Sequence, residues 1–295
     1  MKLALAQYPV SYLQSWEAAA EKISNWTAQA AEAGAQVLVF PEYASMELTS
    51  LLSVQEQQDV KKQLPALQPY RERFVELHRD LARRHGVYLL AGSFPVHEDG
   101  RYVNRAYFLA PGGRVEFQDK LVMTRFETDT WGVAPGKGLK VFDTACGRLG
   151  VNICYDSEFP HLARALAQSG ADLLLVPSCT EAITGYHRVE IGSRARALEN
   201  QMYTAQSPLI GTAPWNEVID VNTGAAGVYG PIDHGFSPGG DGVVVKGPLN
   251  VATWVYADLD LARLREVREN GHTINARDWP HGVRQAAPGA QVVTF

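Results

Sequence analysis

An α/β layered fold is predicted for this 295-residue chain. Two observations predict it: short apolar strands alternate with amphipathic helices along most of the length, and the strands end in turns that carry polar side chains. With 46% apolar and 20% charged residues, the chain also has enough apolar surface to bury a large core. Residues 2–7 read as a first strand. Residues 14–33 read as a helix, because Trp16, Ala19, Ile23, Trp26 and Ala30 recur at three- and four-residue steps, and Gly34 ends it. Residues 36–40 are a β-branched and aromatic run too short for a helix, hence a buried strand that stops at Pro41-Glu42. A helix over 68–84, with Phe74, Leu77 and Leu81 on one face, leads through Gly86 into a strand over 87–92. Residues 102–110 and 114–118 read as a hairpin turning at Pro111-Gly112-Gly113. A strand over 149–153, a helix over 161–168, a strand over 172–176 and a helix over 189–201 continue the alternation.

One domain spanning 1–295 is the simplest organisation, since no linker, repeat or low-complexity tract interrupts the pattern. A formal net charge of −5, with Lys and Arg dispersed among acids, leaves no basic stripe for a row of phosphates, so nucleic acid is not an expected partner. The first apolar run is too short for a signal peptide and no later run reaches the length of a membrane span; a cytoplasmic protein is expected. Cys146, Cys154 and Cys179 make neither a disulfide framework nor a C-x-x-C pair. Glu158-x-x-His161 and Glu269-x-x-His272 spell a di-iron motif, but each contains a helix breaker, and neither a metal nor a cofactor is expected.

Three reactive side chains fall at strand ends, where α/β proteins bind ligands: Glu42, Lys120 and Cys154. Cys154 stands where an apolar strand delivers a thiol to a turn leading into a helix, and a helix N-terminus there would favour the thiolate. Taken singly, each has a plainer reading: a small buried hydrophobe, a solvated loop acid, a surface lysine. Taken together and in order, Phe40-Pro41-Glu42, Asp119-Lys120-Leu121 and Gly150-Val151-Asn152-Ile153-Cys154-Tyr155-Asp156 resemble the motifs of the nitrilase superfamily of carbon–nitrogen hydrolases. The separations of 78 and 34 residues are similar to that family's, and the resemblance extends from residues 3–7 to residues 194–201.

The resemblance implies a four-layer α-β-β-α sandwich, a homodimer or higher assembly, and hydrolysis of a small linear amide without a cofactor. By it, Cys154 attacks the carbonyl carbon. Glu42 moves the thiol proton to the departing ammonia or amine and then activates water. Lys120 and the backbone N–H of Tyr155 stabilise the oxyanion, and Glu127 holds Lys120. Nitrile hydrolysis and acyl transfer to an amine would use the same residues, and a non-catalytic binding protein could keep the fold. Family members acting on carboxylate-bearing substrates place arginines three and four residues after the nucleophile; Ser157 and Glu158 stand there instead. A neutral or cationic substrate is therefore expected, with Glu158 and Glu181 facing an amine. Tyr43, Trp131 and Tyr186 are assigned to the core, and Cys146 and Cys179 to packing.

Overall fold

Leu3, Ala4, Leu5 and Ala6 are all fully buried, so the first strand has core on both of its faces. The computed structural model, which describes residues 1–294, shows what covers each face. In chain order the elements begin with β1 (Lys2–Pro9), α1 (Trp16–Glu32), β2 (Val37–Val39), α2 (Val54–Gln57), α3 (Val60–His85), β3 (Tyr88–Glu98), β4 (Arg101–Leu109) and β5 (Val115–Asp119). There follow β6 (Val133–Ala134), β7 (Val141–Thr144), β8 (Gly147–Val151), α4 (Pro160–Gln168), β9 (Leu173–Ser178), α5 (Ile183–Asn200) and β10 (Tyr203–Thr212). The last are β11 (Val221–Asn222), β12 (Gly227–Tyr229), β13 (Val243–Lys246), β14 (Thr253–Asp258), α6 (Leu261–Asn270) and α7 (Asn275–Ala286).

Strands β5-β4-β3-β2-β1-β14 form one sheet and β7-β8-β9-β10-β12-β13 a second. Among the described residues, the two are continuous only where Tyr8 and Pro9 of β1 pair with Leu209 and Ile210 of β10. Alternation then sorts the side chains into layers. Leu3, Leu5, Val37, Val39 and Leu90 share one core with Leu149, Val151, Leu173 and Leu175 of the second sheet. Ala4, Ala6, Leu38, Leu89 and Ala91 point the other way and pack with Ala19 and Ala30 of α1 and Phe74 and Ala82 of α3. On the second sheet the outer face carries α4 and α5; a Cβ added to Gly150 would press on Leu166 of α4. The architecture is the four-layer α-β-β-α sandwich. No helix among the described residues is long and apolar enough to cross a membrane.

Several boundaries differ from the sequence reading. Helix α3 starts at Val60, capped by Asp59, and runs through Pro65 and Pro69. Each proline removes a single backbone donor, and the buried face of Leu64, Leu67, Phe74 and Leu81 carries the helix across both. Strand β3 continues six residues past Gly92 to Glu98 and pairs with β4, because the left-handed Gly92 (φ +74°) makes an irregularity in the ladder and not its end. Helix α5 starts at Ile183, six residues earlier than the periodicity indicated.

Candidate active site

Four loops bring the predicted side chains to one place. Glu42 follows β2, and the next residue, Tyr43, has φ 57°, a left-handed conformation that turns the chain sharply behind the carboxylate. The Tyr43 N–H donates to Ser93 Oγ at 2.9 Å, and Gly92 allows β3 to pass so close beneath Pro41 that a methyl there would collide with its carbonyl oxygen. Lys120 follows β5. Its N–H donates to the Asn104 carbonyl at 2.9 Å and its carbonyl accepts the Gly136 N–H at 2.8 Å. The preceding Asp119 is gripped by both Nε (2.7 Å) and Nη2 (2.9 Å) of Arg105. Glu127 lies on a single π-helical turn, Phe126–Trp131. Cys154 opens the 3-10 turn Cys154–Glu158 just past β8, at φ 49°.

The Lys120 ammonium is the centre of the arrangement. It donates to Glu42 Oε1 at 2.9 Å and to Glu127 Oε1 and Oε2 at 2.8 and 2.7 Å, and all three side chains are buried. Glu127 also accepts from the Tyr43 hydroxyl (2.6 Å), the Thr124 N–H (2.8 Å) and the Thr124 hydroxyl (3.0 Å). Glu42 accepts from Asn104 Nδ2 (2.9 Å) and, on Oε2, from the Cys179 N–H (3.0 Å). The Cys154 thiol lies against Glu42 and Lys120 and donates to the Cys179 carbonyl at 3.6 Å. The Tyr155 backbone N–H, the expected second oxyanion donor, bonds to no other backbone group among the described residues.

These neighbours divide the two glutamates. Burial raises the Glu42 carboxyl above the usual carboxylate range, opposed by Lys120 and reinforced by the charge of Glu127. Burial works on Glu127 too, but Lys120 and its ring of donors overcome it and hold that carboxyl below the ordinary value. Lys120 is desolvated, yet two carboxylates keep it firmly protonated. Two carboxylates pushed apart by their surroundings mark one as a proton carrier and the other as a fixed charge. The expectation that a helix N-terminus favours the thiolate is corrected: the 3-10 turn separates Cys154 from Pro160, the first residue of α4, and burial beside Glu42 pushes the thiol well above its ordinary value. Cys154 therefore rests as a thiol beside the Glu42 carboxyl group. A proton can pass between them.

A cavity of about 520 Å³ opens onto this cluster. Tyr43 and Trp131, assigned to the core from sequence, are buried and also line it, whereas Tyr186 is buried and does not. Tyr155, Glu158 and Glu181 border the cavity with Glu217, Asp220 and Arg188. Glu158 is not free to face an amine, because Arg188 Nε on α5 donates to its Oε1 at 3.3 Å. Glu181 is exposed and has no ion-pair partner among the described residues. Cys179, read as a packing thiol, lines the cavity, and its backbone orients Glu42 while its thiol donates to Asn222 Oδ1 at 3.2 Å. Asn104 went unnoticed because it sits inside the hairpin strand β4 with no motif around it. Asp156 stood inside a quoted motif but received no role.

The family model for carbon-nitrogen hydrolase matches residues 2–269. The probable hydrolase YhcX of Bacillus subtilis is 36% identical over 278 residues, covering 94% of this chain and 53% of the relative, so the chain spans about half of that protein. Omega-amidase NIT2-B of Xenopus laevis is 30% identical, with 91% of each chain covered. Among solved structures, a variant of the amidase from Nesterenkonia sp. AN1 superposes with a TM-score of 0.71 at 22% identity, covering 97% of this chain and 95% of that one. It carries the acetamide moiety of fluoroacetamide added covalently at its active-site cysteine.

Proposed function

The chain belongs to the carbon–nitrogen hydrolase family, and from that premise we propose that it hydrolyses the C–N bond of a small linear amide through a thioester on Cys154. The observation that carries this reading is the buried Lys120 ammonium, shared by Glu42 and Glu127 beside the thiol at the floor of an open cavity. Glu42 takes the thiol proton as sulfur adds to the carbonyl carbon. Lys120 and the Tyr155 N–H hold the resulting oxyanion, with Glu127 fixing Lys120. Glu42 then returns the proton to the nitrogen, the C–N bond breaks, and ammonia or an amine leaves. Water adds to the thioester as Glu42 accepts one of its protons; the C–S bond breaks, the acid product departs and the thiol is restored.

The substrate is neutral or cationic in this reading. Glu181, Glu217 and Asp220 border the cavity without an ion-pair partner among the described residues, while of the bordering cations Lys120 is taken by Glu42 and Glu127 and Arg188 by Glu158. The experiment is mass spectrometry of the wild type and of Glu42→Gln and Cys154→Ala, mixed with amides that differ only in carrying a cationic, neutral or anionic end, and with fluoroacetamide as the trap. Turnover of the cationic or neutral amides is expected, with a single adduct on Cys154, and Glu42→Gln slows turnover at least ~10²-fold. An adduct on Cys146 or Cys179 in place of Cys154, or full turnover by Cys154→Ala, would overturn the reading. Preference for the anionic amide would overturn the charge assignment alone.

A further inference from the structure

Asp156 is a buried carboxylate that takes no part in the steps above. It lies two residues after Cys154 and is 1% exposed. Its Oδ1 accepts the N–H groups of Leu121 (3.1 Å) and Val122 (2.8 Å), and its Oδ2 accepts those of Leu121 (3.2 Å) and Ile153 (3.2 Å). Leu121 and Val122 follow Lys120, and Ile153 precedes Cys154. Among the described residues no other hydrogen bond joins residues 120–122 to the turn Cys154–Glu158.

The two segments have different supports. Lys120 is held within the first sheet by Asn104, Glu42 and Glu127, whereas Cys154 and Tyr155 hang from β8 of the second. An oxyanion needs a donor from each segment to converge on one point. We propose that Asp156 is a positioning residue that sets the distance between Lys120 and the Cys154–Tyr155 backbone, so that the ammonium and the Tyr155 N–H serve the same oxygen. The inference rests on the reading of those two groups as the oxyanion donors. Only an ionised carboxylate can accept from both sides at once; an amide would turn its NH2 toward one of the N–H groups. Burial raises the Asp156 carboxyl to about 7 against the opposing pull of Lys120 and the three N–H groups.

The test compares two reactions of one thiol in the full chain carrying Asp156→Asn or Asp156→Ala. Amide hydrolysis passes through an oxyanion. Alkylation by iodoacetamide does not: sulfur displaces iodide at carbon while Glu42 takes the thiol proton. Both variants are expected to lose ~10²-fold in kcat with KM little changed, since a misplaced donor costs the transition state and not the bound substrate. Alkylation of Cys154, followed by peptide mass spectrometry, is expected to keep its wild-type rate. Retained turnover overturns the proposal, as does a parallel fall of both reactions. So does faster alkylation alongside lost turnover, which would mean that Asp156 merely holds the turn folded. Lys120→Met in the same assays keeps the two readings apart: if it turns over normally, the oxyanion assignment itself fails, whatever Asp156 does.

Discussion

Asn104 shows how much one neutral side chain can do between charges. Its Nδ2 donates to Glu42 Oε1 at 2.9 Å and approaches Glu127 Oε1 at 3.4 Å, its backbone carbonyl accepts the Lys120 N–H, and its own Oδ1 has no hydrogen-bond partner. A donor to a carboxylate favours the charged form, so it opposes the burial that raises Glu42. Removing it leaves burial and the charge of Glu127 less opposed. In Asn104→Ala the Glu42 carboxyl therefore rises further, and because Glu42 must be ionised to accept the thiol proton, the acid limb of the kcat/KM profile moves to higher pH. A pH–rate series measures this. A limb that stays in place or moves down would show that another group controls Glu42. Tyr43 is the counterpart on Glu127, donating at 2.6 Å to a carboxylate that must stay charged to hold Lys120.

At the level of elements, the site depends on how strands end. Strand β2 stops after three residues, and its continuation is held against β3 at Gly92, whose φ of +74° and missing side chain let Pro41 sit directly above it. Gly92→Ala would force a left-handed alanine and a collision with a backbone oxygen, which no rotamer change can relieve. A loss of at least ~2 kcal/mol is expected in denaturant unfolding, together with a fall in kcat, because the same strand end carries Glu42. Normal activity with lowered stability would separate the loop from the chemistry. The left-handed residues Tyr43 and Cys154 lie at the two strand ends that meet across the cavity, and there the surrounding hydrogen bonds hold conformations that an isolated peptide would avoid.

Across the whole molecule, the cavity is built where two sheets meet. Glu42, Lys120 and Glu127 come from the first half of the chain and Cys154 and Cys179 from the second, and the two sheets that carry them are joined by the short β1–β10 pairing and by the core between them. Leu5 is buried in that inner layer, whereas Leu38 faces the helices. Either residue replaced by alanine is expected to cost about 2–5 kcal/mol in unfolding. Only Leu5→Ala should also lower kcat by an amount that stability does not account for, since it loosens one half of the site against the other; equal kcat in the two variants would contradict this. The alternation of strands and helices and the positions of Glu42, Lys120 and Cys154 were legible in the amino-acid order, because hydrophobic period and turn residues act over a few neighbours. The roles of Asn104, Tyr43 and Asp156 were not, since their partners lie 62, 84 and 35 residues away and meet only when the sheets stack. The same is true of Glu158, claimed by Arg188 from a helix 30 residues on, and of the protonated Cys154 thiol. Local pattern names the reactive groups, but burial and the charges beside them, which set how tightly each holds its proton, exist only once distant segments have packed.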